Sequence, residues 1–208
     1  MLTWTGLSFR ARPANIDETK LPGELPEDYV MRLAVCKAEA SIPYVKSGEI
    51  ILSADTIVVD GNLIIGKPQD AGDAVKILQT LRGRTHSVLT AIVMYDPENS
   101  VMHKDICESP VKMRNYYESE IEQYVASGDP MDKAGAYAIQ HPVFNPVETF
   151  TDCFASVMGF PLCHFVRLMD VFGIKIPNDL PNTCQTQLQY LCPVFDLILN
   201  KKDSPVAS

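Results

Sequence analysis

Ile50-Ile-Leu-Ser-Ala-Asp-Thr-Ile-Val-Val-Asp60 is followed at once by Gly61-Asn62 and then by Leu63-Ile64-Ile65-Gly66-Lys67-Pro68. The first run is apolar and β-branched and reads as a buried strand. Asp60-Gly61-Asn62 reads as a hairpin turn, and Leu63 to Ile65 as the returning strand. One residue does not belong in such a strand. Asp55 sits among apolar neighbours, flanked by the small residues Ser53, Ala54 and Thr56. An ionised carboxylate there costs several kcal/mol, on the order of the values for buried ions, unless something pairs with it. It is either tied to a neighbouring element, or it is a metal ligand or general base at the edge of a cleft.

Upstream, Leu7 and Phe9 alternate with polar residues like a short strand, and Pro13 ends it. Asn15-Ile16-Asp17-Glu18 is a polar loop. A helix is expected from Pro26, with proline at the first helical position and Glu27 and Asp28 at the positive end of the dipole. Val30, Leu33 and Ala34 form its apolar stripe, and helical periodicity puts Lys37 on the same stripe. That lysine either snorkels to water or aims its ammonium at an anion. Downstream, Asp70 reads as the N-cap of a helix that Gly83 closes. Strands follow at Ser87 to Tyr95 and at Val101 to Met113, turning at Asp96-Pro97 and bending at Pro110. A helix is expected from Tyr117 to Ser127, a strand or loop at Ala134 to Gln140, a strand at Glu148 to Val157, and a helix from Pro161 to Phe172. The tail from Pro177 ends in an apolar run, Val194 to Leu199, that either packs as an appendage or meets a partner. The pattern predicts an α/β class with a mixed, partly antiparallel sheet and flanking helices. It divides into a domain over 1–175 and an extension over 176–208.

The 208 residues are 46% hydrophobic, enough for a sizeable core, and carry a formal net charge of -8. Such acidity disfavours binding a nucleic-acid polymer, which needs a basic stripe. No apolar run approaches the ~20 residues of a membrane span. The six cysteines contain no C-x-x-C pair and read as reduced thiols of a cytosolic protein. A metal site from Cys153, Cys163, His164 and His141 competes with simple packing of those thiols.

Lys67, held between Gly66 and Pro68, has a restricted backbone and an aimable side chain, or is an exposed turn lysine. Glu18 and Asp55 together offer two carboxylates for a divalent cation. Gln140, after an apolar run, either reads a base edge or serves as a structural amide. Two carboxylates with two lysines in one cleft point to phosphate chemistry.

These residues also resemble a known family. Asn15 to Glu18, Leu33-Ala34-Val35-Cys36-Lys37-Ala38, Ser53 to Val59, Gly66-Lys67-Pro68, Gly83 to Thr90, Tyr124 to Gly128, Asp132 to Gln140 and Val157 to Leu162 are similar to the Maf-like nucleotide pyrophosphatases in order and spacing. The resemblance covers residues 6 to 173. It implies two lobes around a cleft and cytoplasmic hydrolysis of a nucleoside triphosphate to its monophosphate and pyrophosphate, with Mg2+ or Mn2+. It implies Asp55 as proton acceptor or metal ligand, Glu18 at the metal, Lys37 and Lys67 on phosphates, and Thr56 and Gln140 by the base. The Asp-Thr form resembles the branch acting on dTTP and UTP, with modified nucleotides among its substrates and a homodimer as its assembly. The family pattern begins with a strand and a Ser-x-x-Arg-type phosphate loop, and Met1-Leu2-Thr3-Trp4 starts after that point. The expectation is that the native protein begins upstream, since losing a core strand forfeits roughly 1.5–3 kcal/mol per buried apolar side chain. The alternative is a catalytically impaired protein that binds nucleotides or a division-related partner.

Overall fold

The computed structural model describes residues 1–201 and the backbone of residues 206–207. Its frame is a sheet of β1 (Ile51–Asp60), β2 (Leu63–Ile65), β3 (Thr85–Asp96), β4 (Val101–Met113), β5 (Val147–Thr149) and β6 (Val206–Ala207). The strand order is β2-β1-β3-β4-β5, with β6 also on β4, and each pairing is antiparallel. The helices are α1 (Pro26–Ser41), α2 (Ala71–Leu81), α3 (Glu118–Ala126), α4 (Phe154–Val157), α5 (Leu162–Val171), α6 (Leu180–Leu188) and α7 (Phe195–Leu199). The expected α/β class with flanking helices is what forms.

Alternation along the strands sorts the core into two faces. Ile51, Ile57, Val59, Leu89, Ala91 and Val93 point one way and meet Val30, Ala34 and Ala38 of α1. Val58, Val88 and Val111 point the other way, towards α2 and α3. Further along that second face, Ile92, Met94 and Cys107 meet Leu162, Phe165, Leu168 and Met169 of α5. Cover on both faces explains why Val88 to Met94 is buried without interruption.

The local signals act as expected at the helix ends. Pro26 occupies the start of α1, with Glu27 and Asp28 in its first turn. The Asp70 carboxylate accepts a hydrogen bond from Asp73 N at 2.8 Å. Gly83 takes a φ of 68° just past α2, a conformation that a β-carbon would strain.

Two expectations are corrected. Leu7 to Phe9 form no strand; a short 3₁₀ turn, Leu2–Thr5, precedes them, and Leu7 packs by its side chain against the α5 cluster. Without a partner strand, alternation alone cannot make a sheet edge. Glu148 to Val157 is not one strand either. Only Val147–Thr149 pairs with β4, and Phe154–Val157 turns helical. Asp152 ends the extended stretch by accepting hydrogen bonds from Cys153 N at 2.6 Å and Ser109 Oγ at 2.9 Å. β4, in contrast, runs through Pro110 without a break, where β5 does not reach and a missing N–H is tolerated.

The tail packs back on the body. Leu180 is buried, and Leu188, Val194 and Ile198 join the cluster around α5. α5 itself buries His164 and Arg167 as well as its apolar stripe. Those two side chains approach Asp105 of β4, each with a nitrogen 2.9 Å from Asp105 Oδ2.

His86 reports on the core beneath β3. Its Nε2 lies 2.8 Å from Tyr137 Oη, and its buried Nδ1 has no hydrogen-bond partner among the described residues. Burial pushes its pKa down from 6.5 to about 4, against a weaker upward pull from Asp60. The unfolded chain therefore takes up a proton below pH 6.5 that the folded chain refuses. Stability is intact above that pH and is lost as pH falls from 6.5 to about 4, by about 3 kcal/mol in all. Urea unfolding across that window should show the loss, and His86→Gln should flatten it.

Candidate active site

β2 pairs only with Val58, Val59 and Asp60. Among the described residues, no strand lies along that side of β1 from Ile51 to Ile57. Both faces of this stretch therefore reach one cleft of about 320 Å³, lined by Asp55, Thr56, Lys67, Lys133, Gln140 and Gly159 among others. The open edge resolves how adjacent strand residues, which point to opposite faces, can serve the same site.

Asp55 points to the α1 face. Leu33 and Lys37 are one helical turn apart, so the packing that buries Leu33 also turns Lys37 towards β1. Lys37 Nζ hydrogen-bonds Asp55 Oδ1 and lies 3.3 Å from Glu18 Oε1. The loop carrying Glu18 is held by Tyr29 Oη, which donates to the Glu18 carbonyl at 2.7 Å. The Asp55 side chain is 10% exposed and that of Glu18 is 56% exposed, so one carboxylate is largely dry and the other wet.

That difference governs the electrostatics. Burial raises the Asp55 pKa above the ordinary carboxylate value, Lys37 opposes the rise, and the Glu18 charge adds to it. Burial also works against the Lys37 ammonium, but the hydrogen bond from Lys37 to Asp55 and the charges of both carboxylates carry its pKa above the ordinary lysine value. The outcome is a firmly held cation beside a carboxylate more basic than a surface one.

Lys67 and Gln140 stand on two loops joined by Gly135 N, which donates to the Gly66 carbonyl at 3.0 Å. Gly135 has a φ of 72°, and a β-carbon there would meet Val58 Cγ2 at 2.9 Å, so only glycine fits this junction. Thr56, on the sheet face away from α1, has its Oγ1 2.8 Å from Thr90 Oγ1. Gln140 is exposed at the cleft wall.

The six residues singled out from sequence thus converge. Asp55, Thr56, Lys67 and Gln140 line the cleft, and Asp55 and Glu18 both meet Lys37. Sequence reasoning passed over Lys133, whose Nζ donates to the Asp129 carbonyl at 2.6 Å and to Asp132 Oδ1 at 2.7 Å. The available signal was its place directly before the small-residue run Ala134-Gly135-Ala136. The Asp55 and Glu18 carboxylates both reach the Lys37 ammonium, and oxygen donors of this kind suit a hard divalent cation rather than a soft metal. The cysteine-histidine metal site does not form. His141 accepts from Phe144 N at 2.9 Å, His164 is held at Asp105, and no cluster of three metal-binding His, Cys, Asp or Glu side chains exists among the described residues.

The family model described as "Maf-like protein" matches residues 1–172. The dTTP/UTP pyrophosphatase of Geobacter sp. (strain M21) is 41% identical over 173 residues, covering 83% of this chain and 89% of that protein. The dTTP/UTP pyrophosphatase of Aromatoleum aromaticum is 42% identical over 175 residues, covering 80% and 82%. That of Anaeromyxobacter dehalogenans (strain 2CP-1) is 39% identical over 183 residues, covering 87% and 92%.

Lys37→Met removes the cation from a carboxylate that stays mostly buried. The expected cost is about 1–2 kcal/mol at neutral pH, below the about 3–5 for a fully buried pair because water reaches Lys37. Adding Asp55→Asn should recover part of it. Equal urea midpoints for Lys37→Met and the wild type would count against the pairing as a structural support.

Proposed function

The chain belongs to the Maf-like family, and we propose that it is a nucleoside triphosphate pyrophosphatase that converts dTTP and UTP to the monophosphate and pyrophosphate. One observation carries the reading. A single cleft combines Asp55, Lys67 and Lys133 with the neutral groups Thr56 and Gln140 and with apolar walls at Val58, Ile139 and Val157. A nucleotide has the matching division into charged phosphates and a flat, hydrogen-bonding base. The relatives named dTTP/UTP pyrophosphatase, at about two-fifths identity over most of both chains, support the same substrate class.

In this reading Lys37 and Lys67 oppose the charge of the phosphates. Water attacks the α-phosphorus, the bond to the oxygen bridging the α- and β-phosphorus breaks, and pyrophosphate leaves with the electron pair. Asp55 takes the proton from the attacking water, a role suited to a carboxylate whose burial has raised its basicity. Asp55 and Glu18 also form the site for Mg2+ or Mn2+, which when bound neutralises phosphate charge. Thr56 and Gln140 hold the base. We place the activity in the cytoplasm as that of a homodimer. Among the described residues no helix is long and apolar enough to cross a membrane. All six cysteines are unpaired, which suits a reducing compartment.

The test is magnesium-dependent pyrophosphate release from dTTP, UTP, CTP and GTP. Release from dTTP and UTP is expected. Asp55→Asn should lower kcat/KM by about 10²–10⁴, the usual worth of a positioned proton acceptor, while circular dichroism stays unchanged. Nucleotide binding by calorimetry without any release would show a binding protein and remove the enzymatic assignment.

A further inference from the structure

Thr56 and Thr90 face each other across β1 and β3 as register partners. Thr90 is completely buried, and Thr56 lines the cleft. Thr90 Oγ1 has two oxygen neighbours, the Ser156 carbonyl at 2.9 Å and Thr56 Oγ1 at 2.8 Å. A carbonyl oxygen can only accept, so the single Thr90 hydroxyl proton points to Ser156. The contact with Thr56 then needs a proton from Thr56. The Thr56 hydroxyl has one proton as well, and it is committed inward. What Thr56 presents to the cleft is lone pairs alone.

The same carbonyl fixes the loop that keeps Thr56 uncovered. Ser156 O also accepts from Gly159 N at 2.7 Å. Gly159 has a φ of 92°, and a β-carbon on it would lie 3.4 Å from Thr56 Oγ1. A glycine at this point leaves the acceptor open. Gln140 cannot set polarity in the same way, because its amide offers both a donor and an acceptor and can turn over.

Resting on the pyrophosphatase reading above, we propose that Thr90 is a positioning residue that makes Thr56 an obligate acceptor for the ring N–H of uracil or thymine, and so disfavours cytosine. Uracil and thymine carry a donor at N3, whereas cytosine carries a bare acceptor there. Two facing acceptors leave a buried polar group unpaired, which is how a hydrogen-bonding site rejects an analogue.

The experiment measures kcat/KM for UTP and CTP in the wild type, Thr90→Val, Thr90→Ser, Thr56→Val and the Thr56→Val/Thr90→Val double variant. Valine keeps the Thr90 shape, and Ser156 O retains its bond from Gly159 N. The UTP:CTP preference should fall about tenfold in Thr90→Val and persist in Thr90→Ser. In the Thr56→Val background, adding Thr90→Val should leave the ratio where it is, because Thr90 acts through Thr56. An unchanged ratio in Thr90→Val, with UTP still hydrolysed, overturns this proposal and leaves the pyrophosphatase reading standing. If the wild type releases no pyrophosphate at all, both fall together. Should Thr90→Val not fold, Thr56→Val decides: loss of the preference supports the assignment, and an unaltered ratio overturns it.

Discussion

A carboxylate in the middle of an apolar strand needs a cation, and the ion pair of Asp55 with Lys37 supplies it. Much of the molecule is arranged around that pair. α1 must lie across the β1–β3 face for Lys37 to arrive, and Val30, Ala34 and Ala38 hold it there. Glu18 then approaches the same ammonium from the loop before α1. Such a pair is weak support for stability in itself, since removing two charges from water offsets much of their attraction. Its consequence is chemical: it keeps a basic carboxylate and a fixed cation side by side at a cleft.

Backbone geometry does the rest of the positioning. The open side of β1 lets Asp55 and Thr56 reach one space although they leave the strand in opposite directions. Gly135 joins the loops that bear Lys67 and Gln140, and its positive φ beside Val58 admits no side chain. The Ser156 carbonyl anchors both Thr90 and Gly159. Side chains that carry the proposed chemistry are thus held by rigid strands on one side and by hydrogen-bonded loops on the other.

The corrected elements show where pattern reading fails. Leu7 to Phe9 alternates as a strand does, yet pairs with no strand among the described residues, and Leu7 packs against the α5 cluster. Glu148 to Val157 is apolar enough for a strand, but the Asp152 carboxylate captures Cys153 N and the chain turns helical. The tail read in sequence as either an appendage or a segment that meets a partner. Its two helices pack against the α5 cluster through Leu180, Leu188 and Ile198.

What the sequence determined by itself was everything set by local periodicity and turn chemistry. The β1–β2 hairpin, the cap at Asp70, the helix from Pro26, the strands on either side of Asp96 and the inward stripe that includes Lys37 follow from neighbouring residues alone. Asp55 was legible because a charge in an apolar run is conspicuous. The partners of these residues were not legible. Lys37 and Asp55 are separated by 18 positions and Thr90 and Ser156 by 66, and no local rule relates them. Lys133 was overlooked because its one local signal, the small-residue run that follows it, does not by itself separate it from a solvated lysine. Only the tertiary structure decided that Thr56 shows the cleft an acceptor and not a donor. A hydroxyl's polarity is set by whatever lies on its far side, and here that is a carbonyl brought in from a distant loop.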